Sequence, residues 1–338
     1  MIYKVIFFKN FMETRVRRER KIPELKELYL ERMTELLSSE DLEKYLEILK
    51  VPPVKSFRCN TLKISPDDLK KKLEDKGWEL FQPWEEYPEV MIVKNILLPG
   101  ELGRSLEHLL GYYYIQELAS ILPIIALHPK EGESFLDLCA APGSKTTQAA
   151  CFMNGKGSIF ANELSMGRIK ILASNLERCG VNNAILTKRE GGALCDRLNK
   201  NDIYFDKILV DAPCSGEGTL RSSLKTYSMW NINTVKALSG VQKNLFKKSF
   251  NCLKVGGEMI YSTCTHAPEE NEAIVSWALE ELGDSIEVIK PDLPIKFREG
   301  VKEWQGEKFD FRVKDVARVY PHDNNTEGFF VSKFRRVE

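Results

Sequence analysis

Two cysteines in this sequence are placed as reactive groups are placed. Asp211-Ala212-Pro213-Cys214-Ser215-Gly216-Glu217-Gly218-Thr219 follows the apolar run Ile208-Leu209-Val210, and Ser262-Thr263-Cys264-Thr265 follows Met259-Ile260-Tyr261. Each stretch reads as a buried strand ending in a turn, and ligands of open α/β sheets bind at the C-terminal ends of strands. A thiolate is the best soft nucleophile among side chains, so two thiols at that edge point to covalent chemistry. Pro213 stiffens the backbone before Cys214, while Gly216 and Gly218 loosen it afterwards. Cys264 sits among hydroxyl residues. Cys59, Cys151, Cys179, Cys195 and Cys252 lack such settings and are expected to fill the core, as free cysteines commonly do.

A third chemical segment is Asp137-Leu138-Cys139-Ala140-Ala141-Pro142-Gly143-Ser144-Lys145-Thr146-Thr147. It occupies a strand-to-helix turn, where nucleotides bind in such sheets. A dinucleotide site needs three spaced glycines and a P-loop needs two, and neither pattern is met here. A loop of small residues instead admits a cofactor without phosphates. Glu163, at the end of the next predicted strand, is placed to accept hydrogen bonds from ribose hydroxyls, and Glu190 is placed to reach an adenine. Together these features favour S-adenosylmethionine. No metal is expected, because no CxxC pair occurs and Cys264 with His266 is too small a ligand cluster. His266 and His322 are read as structural.

The elements that must position these residues alternate regularly. Strand-like runs at 134–138, 158–163, 184–187, 207–210 and 259–262 are interleaved with helical stretches, including 144–153 and 166–179. This pattern predicts an α/β fold with a doubly wound, mostly parallel sheet. Upstream, apolar residues at helical spacing over 23–50 predict two amphipathic helices, stopped by Pro52-Pro53. Residues 56–64, a helix from Ser65-Pro66, and strand-like pieces at 78–81 and 91–93 predict a small α+β module. Residues 112–127 are expected to be helical. The expected domains are a helical region at 1–53, the small module at 54–110 and the main domain at 111–338.

The chain has 338 residues, 29% charged and 43% apolar, with 49 basic and 49 acidic side chains. A net charge of zero gives no global argument for a polyanionic partner. Local basic runs do occur, at Arg15, Arg17, Arg18, Arg20 and Lys21 and at Lys70, Lys71 and Lys72. Most such runs are solvated helix faces, and some face phosphates. The opening residues are too short and interrupted for a membrane span and lack a signal-peptide pattern. Eight irregularly spaced cysteines do not resemble a secreted disulfide scaffold. A cytoplasmic location, no membrane association and a monomeric state are expected.

The sequence resembles the NOL/NOP/Sun family of RNA cytosine-5 methyltransferases. The resemblance rests on Tyr114-Ile115-Gln116-Glu117, on Asp137 to Thr146, Asp211 to Thr219 and Tyr261 to Thr265. Arg318-Val319-Tyr320-Pro321-His322, Gly328-Phe329-Phe330-Val331 and Arg58-Cys59-Asn60-Thr61-Leu62-Lys63 add to it. It implies a seven-stranded Rossmann-like methyltransferase sheet with an antiparallel final strand near residues 329–333, and a small RNA-recognition-motif-like module. It also implies an RNA substrate, with tRNA favoured over rRNA because the chain carries one small appended module. That module and the basic N-terminal helices would form the RNA platform.

Local sequence does not say which cysteine attacks, since DNA cytosine methyltransferases use the cysteine of a Pro-Cys motif. The resemblance assigns Cys264 as nucleophile and Cys214 to product release, with Asp211 at nitrogen 3 of the base and Lys145 in the same pocket. Cofactor contacts are implied for Cys139, Ala140, Ala141, Pro142, Gly143, Ser144, Lys145, Glu163, Arg168, Glu190 and Asp211. Glu163 and Glu190 stand where the family usually has aspartate, and Thr265 replaces the commoner serine. No separate RNA-binding insertion or antitermination-factor-like N-terminal domain is expected. The alternatives are an rRNA enzyme, a DNA enzyme, a catalytically silent RNA-binding or assembly factor, and a cysteine hydrolase.

Overall fold

The structure, a computed structural model, describes residues 22–338. The basic run at Arg15, Arg17, Arg18, Arg20 and Lys21 and the opening apolar stretch lie outside the described residues. Two helices come first, α1 (Glu27–Leu36) and α2 (Ser39–Leu49). Ser38 caps the second by accepting from the Asp41 N–H, which satisfies one of the donors a helix start leaves free. Tyr29, Met33, Tyr45 and Leu49 pack with Tyr227, Trp230 and Tyr320, so this helical pair is seated on the main domain.

The small module is a four-stranded antiparallel sheet in the order β2-β3-β1-β4, made of β1 (Ser56–Cys59), β2 (Leu80–Phe81), β3 (Val90–Val93) and β4 (Tyr113–Ile115). Helix α3 (Pro66–Glu74) lies between β1 and β2, with Ser65 as its cap and proline in its first turn. Two expectations are corrected here. Residues 60–64 leave the strand, because the Asn60 side chain donates to the Gly111 and Cys179 carbonyls at 2.8 Å each and turns the chain. Residues 113–115 are a strand rather than the start of a helix. The Tyr113 ring packs 4.7 Å from Phe57, and a strand edge offered by β1 outweighs the apolar spacing. The small sheet therefore draws its fourth strand from beyond residue 110.

The main sheet runs β7-β6-β5-β8-β9-β14-β10, from β5 (Ser134–Asp137), β6 (Ser158–Asn162), β7 (Ala184–Thr187), β8 (Phe205–Asp211), β9 (Leu253–Thr263), β10 (Ile286–Ile289) and β14 (Phe329–Arg336). A short β13 (Ala317–Val319) also pairs with β14, and a separate hairpin joins β11 (Glu303–Trp304) to β12 (Glu307–Lys308). Strands β5 to β9 pair in parallel, whereas β14 is antiparallel to both β9 and β10. Helices cover both faces, as a doubly wound sheet requires. Helix α4 (Leu118–Leu127) has nine buried residues and packs on β8, β9 and β14 at the heart of the larger core cluster. Register then decides the site. Asp211 lies opposite Ser262, and Thr263 opposite Phe330, so β8 and β9 end where β14 begins, at one level.

Candidate active site

At that level a cavity of about 630 Å³ opens between the strand ends and the small sheet. Cys139, Ala140, Ala141, Pro142, Ser144 and Lys145 form one wall, Asp211 and Cys264 another, and residues 114–117 with Phe329 close it. Lys145 stands in the first turn of α5 (Ser144–Phe152). Gly143 before it has φ +105°, a conformation that side chains resist, and an added Cβ would come within 3.0 Å of Leu172.

Lys145 is only 6% exposed, so its charge must be met inside the protein. Nζ donates to Asp211 Oδ2 at 2.8 Å and to Ser120 Oγ at 3.0 Å, and lies 5.2 Å from the centre of the Phe329 ring. Ser262 Oγ donates to the other Asp211 oxygen at 2.8 Å. The aspartate is thus held on both oxygens while remaining in the cavity wall, a fixed charge pair beside a thiol.

The two thiols are brought together. Cys214 Sγ lies 3.0 Å from Cys264 Sγ, and the Cys264 N–H donates to Cys214 Sγ at 3.3 Å. Cys264 faces the cavity, whereas Cys214 is not among the cavity walls. The hydrogen bond to Cys264 and burial, joined by the charges of Cys264 and Glu270, hold the Cys214 thiol well above the usual thiol range. Ser215 and Thr265, the residues after the two cysteines, share a 2.8 Å hydroxyl hydrogen bond that ties the turns together.

The cofactor-side residues divide. The donors and acceptors around the first loop fit a cationic nucleoside. Ala140 and Ala141 present only methyl groups, and Asp137, 1% exposed, lines the cavity with Oδ1 lacking a partner among the described residues. Burial pushes its carboxyl up to about 7, against a hydrogen bond from Thr146. Glu163 and Arg168 lie outside the cavity walls. Arg168 pairs with Glu163 at 3.1 Å and donates to the Ala141 carbonyl at 2.6 Å, bracing the loop from behind. Glu190 is exposed and its carboxylate caps α6 (Gly191–Lys200) through the N–H groups of Gly192 and Ala193. Burial pushes the Cys139 thiol up.

A model of the 16S rRNA methyltransferase RsmB/F family matches residues 124–335, and one of the N-terminal domain of 16S rRNA methyltransferase RsmF matches residues 25–118. The chain belongs to the RsmB/F methyltransferase family. It is 37% identical over 317 residues to the ribosomal RNA small subunit methyltransferase F of Vibrio vulnificus, covering 93% of this chain and 64% of that protein. It is 39% identical over 298 residues to the tRNA (cytosine(49)-C(5))-methyltransferase of Pyrococcus abyssi, covering 88% and 93%. The chain therefore spans under two thirds of the bacterial relatives it matches and nearly all of the archaeal one. Among solved structures, a methyltransferase homolog from Pyrococcus horikoshii superposes with a TM-score of 0.79 at 34% identity, over 92% of this chain and 95% of that one.

Within this RsmB/F fold several contributors escaped the sequence reading. Ser120 and Ser262 orient the Lys145–Asp211 pair from α4 and β9. Asp137 was read only as part of its loop, although a buried acid ending the first strand of the parallel series is a usable signal. Glu270 follows the Cys264 turn without any local sign that its carboxylate accepts from Ser215, the residue after Cys214. His266 stacks on Tyr320 at 4.9 Å, and burial takes it down to about 3. His322 is likewise taken down to about 4 by burial. No histidine is hydrogen-bonded to either thiol among the described residues, which leaves a hydrolytic thiol–imidazole pair without support. Among the described residues no cluster suited to a metal ion occurs, and no helix is long and apolar enough to cross a membrane.

Proposed function

We propose that the chain is an S-adenosylmethionine-dependent RNA cytosine-5 methyltransferase with Cys264 as nucleophile. The observation that carries this is a cavity-facing thiol beside the Lys145–Asp211 pair, with a second thiol 3.0 Å behind it. Carbon 5 of cytosine is a poor nucleophile until a thiolate adds to carbon 6 and leaves an enamine-like ring, which is covalent catalysis. S-adenosylmethionine, when bound, supplies the electrophilic methyl group. Cys264 attacks carbon 6, and as charge enters the ring Asp211 passes to nitrogen 3 the proton it takes from Lys145, which also holds the carboxylate in place. After transfer, Cys214 takes the carbon-5 proton, and the electron pair returns to the Cys264 sulfur.

Cys139 to Lys145, together with Asp137 and Asp211, would hold the cofactor, with Glu163 on the ribose and Arg168 bracing both. Glu190 would reach the adenine only while keeping its role as a helix cap. The target base must leave its stack to enter a cavity of this depth, and RNA is read largely through such extruded bases. tRNA is favoured over rRNA, supported by the match along 93% of the Pyrococcus abyssi tRNA enzyme. The rRNA reading is supported by the bacterial relatives. Residues 54–110 and the helices before them are the proposed RNA platform of a monomeric, cytoplasmic enzyme. Purified protein with labelled cofactor is expected to mark total tRNA with 5-methylcytosine; label in 16S rRNA with unlabelled tRNA would reverse the preference.

A further inference from the structure

Two thiols 3.0 Å apart on adjacent strand ends differ in their access to the cavity, and something beyond the motif must also keep the one behind from attacking. Behind Cys214 lies Glu270, fully buried in the 3-10 turn Pro268–Glu270. Its carboxylate accepts from the Ser215 N–H at 3.0 Å and from Gln242 Nε2 at 2.8 Å. The same Gln242 amide donates to the Pro213 carbonyl at 2.9 Å. The residues on both sides of Cys214 are therefore clamped by one buried acid and its amide partner. Tyr261 secures the other end by donating to the Glu270 carbonyl at 2.6 Å.

We propose that Glu270 is a positioning residue that divides the labour between the cysteines: it fixes the Cys214 turn and sets a buried negative charge behind that sulfur, so that Cys214 is kept from attacking and Cys264 is left as the nucleophile. The titratable groups around this centre are Cys264 and Glu270 beside Cys214, Tyr261 on β9 with Asp211 and Cys139 acting on it, and Glu217, whose charge acts on Glu270. Burial pushes the Glu270 carboxyl up to about 7, so its charge is present above neutrality and lost below. Once the Cys264 sulfur is bonded to carbon 6 it carries no charge. Cys214 can then lose its proton to solvent, take the one leaving carbon 5, and permit the Cys264–carbon bond to break.

The inference rests on the cytosine-5 reading for its role in release, but its first test needs no RNA. Iodoacetamide labelling of Cys214, read by peptide mass across pH in the Cys264→Ala protein, reports that thiol directly. Glu270→Gln keeps the size and an acceptor while removing the charge. The pH of half-labelling should fall by about one unit, roughly tenfold faster labelling at a fixed pH below it. With both cysteines restored, the same substitution should move the pH profile of release from the covalent RNA complex. Glu270→Asp keeps the charge but retreats from Ser215, and should slow release while leaving the labelling midpoint in place. An unchanged labelling profile in Glu270→Gln overturns the proposal, as does release at the native rate in Glu270→Asp. If Glu270→Gln does not fold, Glu270→Asp decides alone. A native protein that methylates no RNA would sink the cytosine-5 reading and leave the labelling result standing.

Discussion

The turn after β8 and the turn after β9 start from the same level of the sheet and end in different surroundings. Cys264 follows its strand directly into the cavity wall, near the Lys145–Asp211 pair. Cys214 follows Pro213 into a buried clamp, with Gln242 on the preceding carbonyl and Glu270 on the following N–H. One sulfur is open to a substrate and the other is held behind it as a hydrogen-bond partner. Parallel register brought the thiols together, but access to the cavity and local charge separate their chemistry. A motif locates a reactive group, and its neighbours decide what it does.

The comparison breaks most visibly if the cavity-facing thiol is removed. Cys264→Ala should abolish measurable turnover, because the other thiol of the cavity wall, Cys139, lies in the cofactor loop and is pushed up by burial, while binding of cofactor is retained. Turnover near the native rate would transfer the nucleophile's role to Cys214. A smaller effect is expected at the acid beside it. Asp211→Asn should lower the single-turnover rate by roughly 10²–10⁴-fold, the range for a positioned proton-transfer group. A loss confined to KM would make Asp211 a binding residue only. The smallest effect sharpens the comparison by leaving both turns intact. Calorimetry on Glu163→Ala should show cofactor affinity weaker by about 1.5 to 3 kcal/mol, the scale of a hydrogen bond to a charged group. Unchanged affinity would remove Glu163 from the ribose and leave it as a brace for Arg168 and Ala141.

Much of the site was legible because its chemistry is encoded over short stretches. Both cysteine turns, the loop from Asp137 to Lys145 and the parallel strand series each announce themselves within a dozen residues. What was hidden depends on partners far apart in the chain. Ser120 and Ser262 reach the Lys145–Asp211 pair from separate elements, and Glu270 lies 56 positions from Cys214 while touching its neighbour. Tyr113 to Ile115 misled for a related reason. Their apolar spacing continues the pattern of α4, and only the waiting edge of β1 makes them a strand. Lys145 shows the opposite case, an ordinary helix-start lysine by sequence that the fold buries against Asp211.

Addition and elimination are separate steps, so a defect in the second traps the product of the first. The most direct measurement is therefore a denaturing gel of RNA incubated with cofactor and each cysteine variant. Cys214→Ala should attack, transfer methyl and remain attached, appearing as a slow-migrating protein–RNA band, and Cys264→Ala should give none. A band formed by Cys264→Ala and missing from Cys214→Ala would contradict the assignment of the two turns.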